Sequence, residues 1–398
     1  MRALPLTGPV MTLPVNPLVD AVAASPFAAI AAEARPTPDK PLIDVGGGEP
    51  DYPPASELRA HLAARIEAPE TARYTDLAGI APLREALAAE TRRLYGGDVG
   101  ADDILVTAGC NQAFAAAMMA LAGPGDAVVM PVPAYFNHLM WLAMLGIERA
   151  LFPVRFERGA LPEVADAEAR VGARTRAIAL VAPNNPTGAI YPPALIEAFC
   201  DLAAGRGIAL VIDETYRDFV PGGGPPHHLF RRADWRETFV HLYSFSKVFA
   251  LTGYRVGALV CGPRLRPSVA KVLDCIAICA PRIGQEAALY GLTHLAAWKA
   301  EKQALIGART AALEQAFRRN DLTYELIAAG PFFAYVRHPF DGTPGIEVAK
   351  RLARDHALLT MPGSAFGPGQ EAYLRLAYAN LGSEWMAEIV ARLAASQG

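Results

Sequence analysis

The amino-acid sequence predicts an α/β protein with a large three-layer α/β/α domain around a mainly parallel mixed sheet, and a smaller α+β domain. The chain has 398 residues, and at about 150 residues per domain this length corresponds to two to three domains. Hydrophobic residues make up 52% of the chain and charged residues 19%, enough apolar material for a large core. From about residue 43, short β-branched runs alternate with longer Ala/Leu-rich stretches, which is typical of parallel sheets covered by helices.

Six apolar runs are predicted to form the strands of the large sheet. Most of them lack alternating polar residues, so we expect strands that are buried on both faces. Ala/Leu-rich stretches between and after them predict helices at 111–121, 135–145 and 193–206. The predicted strands, in chain order, are 104–107, 127–132, 176–183, 208–213, 239–244 and 255–261.

The pattern changes after about residue 285, where a second unit is predicted. Residues 286–320 have the pattern of one long helix with charges on one side. Residues 332–338 and 372–380 alternate like half-buried strands. The expected domains are 46–290 for the large unit, and 1–45 together with 291–398 for the small one.

Charge and cysteine content exclude several classes of protein. With 37 basic and 40 acidic residues the formal net charge is −3, and no long Lys/Arg run suggests a nucleic-acid or membrane partner. No uncharged apolar run reaches the 18 or so residues that a membrane span needs. Five cysteines without a C-x-x-C pair predict reduced thiols in a cytoplasmic protein and no metal site. Prolines at 5, 9, 14 and 17 interrupt the apolar N-terminus, which argues against a signal peptide.

Chemically active residues follow three of the predicted strands. Asn185 follows the first of these strands. Asp213 ends the second, and Tyr216 lies three residues beyond it. Lys247 follows the third. Taken alone, a lysine after a strand is most often a solvated strand end. Doubly wound sheets, however, bind ligands at the carboxyl ends of their strands, so these residues indicate one pocket. A lysine amine forms a Schiff base with an aldehyde, and pyridoxal phosphate needs such a lysine, an acidic partner for its ring nitrogen and anchors for its phosphate.

Motifs in a fixed order extend this interpretation along most of the chain. They are G-x-P-D (48–51), Y-x4-G-x3-L-R (74–84), G-x-x-Q (109–112), P-x-Y-x-N-H (133–138), N-N-P-T-G (184–188), D-E-x-Y (213–216), S-x-S-K (244–247), R-V-G (255–257) and P-G-S-x-F-G (362–367). From about Asp44 to about Asn380, the chain resembles the class I/II aminotransferases of the fold-type I pyridoxal-phosphate-dependent enzymes. A single motif such as N-P-T-G is a weak signal, whereas the ordered series is specific.

The resemblance implies a role for each matching residue around the cofactor ring. Lys247 would form the Schiff base and then act as the proton shuttle. Asp213 would pair with the pyridine nitrogen, while Tyr216 and Asn185 would bind the ring hydroxyl oxygen. Tyr135 would stack on the face of the ring.

The cofactor phosphate has its own predicted anchors. Cys110 and Asn111 lie between a predicted strand and a helix, and a helix N-terminus offers free backbone N–H groups to a phosphate. The family usually has small residues at this turn, so Cys110 and Asn111 depart from its pattern. Their backbone N–H groups can still donate hydrogen bonds to the phosphate. Ser244 and Arg255 occupy the positions that supply a hydroxyl and a guanidinium to the phosphate. Tyr74 matches the tyrosine that reaches the neighbouring subunit's phosphate, which implies a homodimer with shared active sites.

The resemblance also implies how the substrate is held. Arg375 would bind the α-carboxylate in a bidentate way, for which arginine is better suited than lysine. Asn185 and a backbone N–H of Gly48 would lie near the same carboxylate. From the strand pattern alone, Arg375 could equally point at solvent.

The implied activity is transfer of the amino group of an L-amino acid to a 2-oxo acid, by a ping-pong mechanism through the Lys247 Schiff base. The alternative is a carbon–sulfur lyase or another non-transaminating enzyme with the same cofactor. Arg282 of one subunit could bind the distal carboxylate of a substrate in the other subunit's site. It could equally cap a helix or form an ion pair at an interface. His138 could support Asp213 or be a satisfied core histidine. Four aromatic residues could line a side-chain pocket or belong to the core, namely Phe27, Tyr52, Trp141 and Phe366.

Overall fold

A computed structural model of the protein describes residues 13–398. The strands of this part of the chain form three sheets, of eight, four and two strands. In chain order the strands are β1 (Ile43–Asp44), β2 (Ile104–Thr107), β3 (Ala127–Val132), β4 (Glu148–Arg155), β5 (Leu161–Pro162), β6 (Thr175–Val181), β7 (Ala209–Asp213), β8 (Phe239–Ser244), β9 (Gly257–Val260), β10 (Glu325–Ala329), β11 (Phe333–Arg337), β12 (Leu358–Leu359), β13 (Met361–Pro362) and β14 (Tyr373–Ala377).

The α-helices alternate with these strands through most of the described chain. In chain order they are α1 (Pro17–Asp20), α2 (Phe27–Ala31), α3 (Ser56–Ile66), α4 (Ala81–Tyr95), α5 (Cys110–Leu121), α6 (Phe136–Met144), α7 (Val164–Glu168), α8 (Pro193–Arg206), α9 (Trp235–Thr238), α10 (Phe245–Val248), α11 (Arg266–Ala277), α12 (Arg282–His294), α13 (Ala296–Ala316), α14 (Gly345–His356) and α15 (Trp385–Ala395).

The large sheet is mixed and mainly parallel, as the sequence predicts. Its strand order is β2-β9-β8-β7-β6-β3-β4-β5. The pairs from β8 through β7, β6 and β3 to β4 are parallel. Antiparallel pairs occur only towards the edges, where β9 joins β2 and β8, and β5 joins β4. This arrangement brings the carboxyl ends of β6, β7 and β8 to the same edge of the sheet.

Helices cover both faces of the large sheet. Residues of α5, α6 and α11 form the core on one face, and residues of α3, α4, α8 and α12 form the core on the other. Strand β7 illustrates the division, because Leu210 and Ile212 belong to one core and Val211 to the other. The continuous apolar runs therefore correspond to strands that are buried on both sides.

A smaller antiparallel sheet follows, in the order β10-β11-β14-β13. Strand β1, near the beginning of the described chain, pairs in parallel with β12. Ile30 from α2 and Ile43 from β1 share a buried core with α14, α15 and this sheet. These contacts favour a small unit made from both ends of the chain, and the domain division at residues 45 and 290 stays a prediction.

The long helix expected over 286–320 is instead two helices, α12 and α13. They meet at Leu295, whose backbone leaves the helical conformation with φ −104° and ψ 29°. Leu295 is buried in the core of the large sheet, so the break turns its side chain inward. The pattern of apolar residues could not reveal this break, because both helices have good helix formers around it.

Several expectations concern absences or the N-terminus. No helix within residues 13–398 has the length and apolar character to cross a membrane. The same range holds no group of three or more His, Cys, Asp or Glu side chains arranged for a metal ion. All five cysteines are free thiols. The signal-peptide question concerns residues that lie partly outside the described range.

Candidate active site

A cavity of about 470 Å³ opens at the carboxyl ends of β6, β7 and β8. Val181 pairs with Asp213, and Asp213 pairs with Leu242, so the three strand ends lie side by side. Every site residue predicted from the sequence lines this cavity, except Tyr74. The predicted residues that line it are Gly48, Cys110, Asn111, Tyr135, Asn185, Asp213, Tyr216, Ser244, Lys247, Arg255 and Arg375.

Asp213, the last residue of β7, is a buried and oriented carboxylate. Its Oδ1 accepts hydrogen bonds from the Thr215 backbone N–H at 3.0 Å and the Thr215 hydroxyl at 2.7 Å. Its Oδ2 lies 3.5 Å from His138 Nε2. Burial alone would raise the pKa of Asp213, but interactions with His138 and Thr215 outweigh burial and lower the pKa. The side chain is therefore a fixed anion, suited to holding a protonated ring nitrogen.

His138 has the surroundings of an orienting residue. It is buried in α6, and its ring stacks on Phe114 with centroids 3.6 Å apart and an interplanar angle of 7°. Apart from its approach to Asp213, neither ring nitrogen has a hydrogen-bond partner in the described chain. His138 is thus a buried residue that faces the carboxylate, and it is not a satisfied core histidine within the described residues.

Lys247 projects into the cavity from α10, the short helix that follows β8. Its Nζ donates a hydrogen bond to the Gly48 carbonyl at 2.6 Å. Burial, aided by the charges of Arg255 and Arg375, lowers the pKa of Lys247 to about 8, although Glu49 opposes this shift. At pH 7 about one-tenth of such an amine is neutral, compared with a few ten-thousandths at a pKa of 10.5. Only the neutral amine can attack a carbonyl or accept a proton.

Three polar side chains surround the space between Asp213 and Lys247. Tyr216 is buried against the Phe333 ring, with centroids 5.1 Å apart, and burial raises its pKa well above the usual range. Burial also raises the pKa of Tyr135. Both phenols therefore stay protonated at neutral pH and can donate hydrogen bonds. The buried Asn185 completes this group from the loop after β6.

The strand-to-helix turn before α5 is shaped for an anion. Gly109 has φ +82°, and a Cβ there would lie 2.2 Å from an Arg255 guanidinium nitrogen. A Cβ on Gly257 would lie 2.8 Å from the Gly109 carbonyl carbon. Gly109 thus lets the guanidinium approach the helix N-terminus, and Gly257 lets β9 pack against the turn. The free backbone N–H groups of this N-terminus attract a phosphate. The same turn places Cys110 in the cavity wall, and burial raises the pKa of its thiol, so the thiol stays uncharged.

Arg375 enters the cavity from β14 of the small sheet. Its Nη1 donates to Asn185 Oδ1 at 3.1 Å, and its Nη2 donates to the Gly46 carbonyl at 2.5 Å. The guanidinium is buried and its Nε has no hydrogen-bond partner within the described residues. Burial lowers the pKa of Arg375 to about 10, so the side chain is still a cation at neutral pH. It can therefore bind a carboxylate.

Two residues considered in the sequence analysis lie outside this cavity. Tyr74 is 74% exposed and does not line the cavity of its own chain. Arg282 begins α12 and donates to Glu286 Oε1 at 3.3 Å, so in this chain it is paired within its own helix. Of the four aromatic candidates, only Phe27 lines the cavity.

The cavity also contains residues that the sequence analysis did not single out. Thr215 occupies the variable position of the motif D-E-x-Y, and Ser246 is the second serine of S-x-S-K, but the sequence analysis assigned neither a role. Both are polar residues that lie next to a predicted site residue at a strand end, and this position was the signal by which they could have been predicted. Glu49 and Phe136 occupy variable positions of the motifs G-x-P-D and P-x-Y-x-N-H, beside the predicted site residues Gly48 and Tyr135. Thr252, Phe333 and Met361 also line the cavity and lie outside the motifs.

A second group of buried polar side chains lies beside the end of β7, outside the cavity. Glu214 Oε2 accepts a hydrogen bond from the Tyr95 hydroxyl and lies 2.8 Å from His241 Nε2. Its Oε1 lies 3.3 Å from His227 Nε2. Arg217 donates to the Tyr95 hydroxyl at 3.1 Å. None of these five residues is more than 3% exposed, and we call them the enclosed cluster.

The residues of the cavity fit pyridoxal 5′-phosphate. They offer an amine with a lowered pKa, an oriented anionic carboxylate, protonated phenols and a helix N-terminus beside a guanidinium. Arg375 also retains an unpartnered buried nitrogen beside them. The α/β fold and this set of groups together define the class of protein, an enzyme that uses this cofactor.

Comparisons with known proteins make the class more specific. The model of the family "Aminotransferase class I and II" matches residues 40–393, so the chain belongs to this family. The arginine–pyruvate transaminase of Pseudomonas aeruginosa is 30% identical over 376 residues, covering 91% of this chain and 92% of that protein. An aspartate aminotransferase of Streptomyces avermitilis is 30% identical over 409 residues, covering 95% of each chain.

A solved structure shows the same fold. A single mutant of Thermus thermophilus aspartate aminotransferase superposes with a TM-score of 0.87 at 26% identity, covering 96% of this chain and all of that one. The protein is therefore an aminotransferase that depends on pyridoxal 5′-phosphate and has the fold-type I architecture. The fold, activity and cofactor expected from the sequence are confirmed.

Proposed function

We propose that the cavity at the ends of β6, β7 and β8 is the transamination site. There the amino group of an L-amino acid would pass to the bound cofactor in one half-reaction, which leaves a 2-oxo acid, and from the cofactor to a second 2-oxo acid in the other. The observation that carries this proposal is the meeting of Lys247, Asp213 and Arg375 in one cavity. These residues are an amine, an anion and a carboxylate-binding cation, and transamination needs all three.

The cofactor, when bound, supplies an aldehyde for the amine and an electron-withdrawing ring. Lys247 would bind it covalently through Nζ, and the released Nζ would take the substrate Cα proton and deliver it to the carbon that had carried the cofactor aldehyde. Asp213 holds the ring nitrogen protonated, and His138 and Thr215 keep this carboxylate oriented. Tyr216 and Asn185 bind the ring hydroxyl oxygen, so the catalytic residues are Lys247, Asp213 and Tyr216. Tyr135 stacks on the ring.

The phosphate is held by the backbone N–H groups of Cys110 and Asn111, the Ser244 hydroxyl and the Arg255 guanidinium. Tyr74 of a second copy contributes to this phosphate site, so the enzyme works as a homodimer with shared active sites. The exposure of Tyr74, outside the cavity of its own chain, supports this assignment. Free cysteines are consistent with a cytoplasmic location.

The substrate α-carboxylate binds Arg375, with Asn185 and the Gly48 backbone N–H beside it. Arg375 belongs to the small domain, residues 1–45 with 291–398, whereas Lys247 belongs to the large domain, residues 46–290. The substrate therefore bridges the two domains. Support comes from the hydrogen bond between Arg375 and Asn185, which already joins the two units.

Spectroscopy of the bound cofactor tests these assignments. Purified wild-type protein with added cofactor should show an absorbance band that is lost in Lys247→Ala, whereas Lys271→Ala, an exposed lysine on α11, should keep it. An amino donor should then convert the wild-type cofactor to pyridoxamine phosphate. Release of ammonia and pyruvate without this conversion would instead indicate a carbon–sulfur lyase. A wild-type protein that binds no cofactor would refute the proposal.

A further inference from the structure

We infer that this site selects amino donors with bulky apolar side chains, such as phenylalanine and leucine. The inference rests on the proposed transamination site and adds the class of substrate. It follows from three features of the cavity. Its cationic residues already have assigned partners, its acidic residues offer little to a charged side chain, and part of its wall is apolar.

The cations of the cavity already have assigned partners. Within residues 13–398, those that line it are Lys247, Arg255 and Arg375. The proposed function assigns them to the cofactor aldehyde, the phosphate and the substrate α-carboxylate. No cationic lining residue of this range is left for a second substrate carboxylate. A carboxylate that loses hydration without gaining a partner is strongly disfavoured.

The acidic lining residues give charged side chains no better partner. Asp213 is buried and engaged with Thr215 and His138, and the proposed function assigns it to the cofactor ring. Glu49 is exposed, and its charge acts on Lys247. A distal carboxylate would meet a like charge from Glu49. A cationic side chain would gain only a weak pairing, because exposed ion pairs are screened by water.

The part of the wall without an assigned role towards the cofactor contains an apolar patch. Phe27, Phe136 and Met361 line the cavity and have no polar role there. All three pack on one small cluster that includes Phe366, and the Phe136 and Phe366 ring centroids are 5.9 Å apart. A wall of aromatic rings and a thioether favours an apolar side chain, since both surfaces lose water on contact.

Phe27 lies beside the group that holds the substrate. A Cβ on Gly46 would lie 2.5 Å from the Phe27 ring, so the glycine lets the ring reach the backbone. The carbonyl of the same glycine accepts a hydrogen bond from Arg375 Nη2. A substrate whose carboxylate is bound by Arg375 therefore presents its side chain near the Phe27 ring.

A panel of amino donors tests the inference on the holoenzyme. Single-turnover conversion of the bound cofactor is measured with phenylalanine, leucine, alanine, aspartate and arginine. We expect the rate constant divided by the dissociation constant to be at least tenfold higher for phenylalanine or leucine than for aspartate or arginine. Fastest conversion with aspartate would overturn the inference and indicate a cation from outside this cavity. Fastest conversion with arginine would overturn the inference and indicate that Glu49 binds the cationic side chain of the donor.

A variant tests whether the apolar wall is responsible for the selection of the amino donor. Phe27→Ala should lower the efficiency with phenylalanine about tenfold, while the efficiency with alanine changes less than threefold. Phe27→Leu should retain most of the activity with phenylalanine. The matched control is Phe317→Ala, a half-buried aromatic of the small unit that does not line the cavity, and it should change neither value. Equal losses with both donors in Phe27→Ala would show that the ring acts on the carboxylate site and would overturn its role in selection.

Failure of the inference differs from failure of the proposed function. If a charged donor is preferred, the cofactor still converts and only the class of substrate is wrong. If no donor converts the cofactor and Lys247→Ala has the same spectrum as the wild type, the site assignment itself is wrong.

Discussion

The cavity and the enclosed cluster meet at two consecutive residues, Asp213 and Glu214. Both carboxylates are almost completely buried, and both have pKa values below their usual range. Successive side chains of an extended backbone point to opposite sides, so Asp213 faces the cavity and Glu214 the cluster. Two adjacent acids thus have similar burial and similar charge but entirely different surroundings.

The difference lies in what remains unoccupied around each carboxylate. Asp213 borders open space that a ligand can enter. Glu214 is surrounded by Tyr95, His227 and His241, and burial lowers the pKa of His241, which keeps that ring neutral and able to donate. Burial would raise the pKa of Glu214, but the two histidines outweigh this effect. A low pKa in a buried acid therefore does not identify an active site. A cavity beside the acid is the feature that distinguishes Asp213 from Glu214.

Replacing Asp213 should have the largest effect on catalysis. Asp213→Asn keeps the shape and removes the charge that would hold the ring nitrogen protonated. At about 4 Å and an effective dielectric constant near 20, that attraction is about 4 kcal/mol. At about 1.36 kcal/mol per factor of ten, kcat should fall about 1000-fold. Steady-state kinetics with one donor and one acceptor measures this, and a loss below tenfold would remove Asp213 from its proposed role.

Replacing Glu214 should affect stability and largely spare the chemistry. Glu214→Gln leaves an N–H₂ group without an acceptor in the cluster, which costs about 1–3 kcal/mol. For a chain of this length, thermal unfolding should then move down by about 1–4 °C. We expect kcat to stay within about fivefold of the wild type. A 1000-fold loss of kcat with unchanged stability would mean that the cluster takes part in the reaction.

The pH dependence of that stability difference sharpens the comparison. Because the pKa of Glu214 is lowered on folding, its ionised form stabilises the protein above the usual pKa near 4.5. This contribution is lost as the pH falls through the lower, folded-state pKa. The midpoints of wild type and Glu214→Gln should therefore converge in acid.

A further prediction concerns the ionisation of Lys247. With a pKa of about 8, the neutral fraction of its amine rises from about one-tenth at pH 7 to about nine-tenths at pH 9. The rate at which apoenzyme recovers the cofactor band should rise about tenfold over this range, with a midpoint near pH 8. Stopped-flow absorbance measures it, and a rate still rising steeply at pH 10 would contradict the lowered pKa.

The sequence carries a signal for the residues that line the cavity, whereas it carries none for the pairings within the enclosed cluster. Asn185, Asp213 and Lys247 follow apolar strands, and parallel strands bring their ends together, so a local pattern was enough. The enclosed cluster joins Tyr95 to residues more than 100 positions away, and no local pattern records such pairings. Phe27 was only one of four aromatic candidates, because its packing depends on Gly46. The break at Leu295 depends on tertiary burial, which helix propensity does not contain.

The hydrogen bond from Arg375 to the Gly46 carbonyl joins residues 329 positions apart. Strand β1, next to Gly46, likewise pairs with β12 from the far end of the chain. During synthesis at about 5–20 residues per second, the N-terminal segment would wait roughly 16–65 s before its partner strands leave the ribosome. The large sheet can form in that interval, whereas the part of the cavity that contains Arg375 cannot. A chain truncated before β14 would therefore display an assembled Lys247 region without Arg375, the residue proposed to bind the substrate carboxylate.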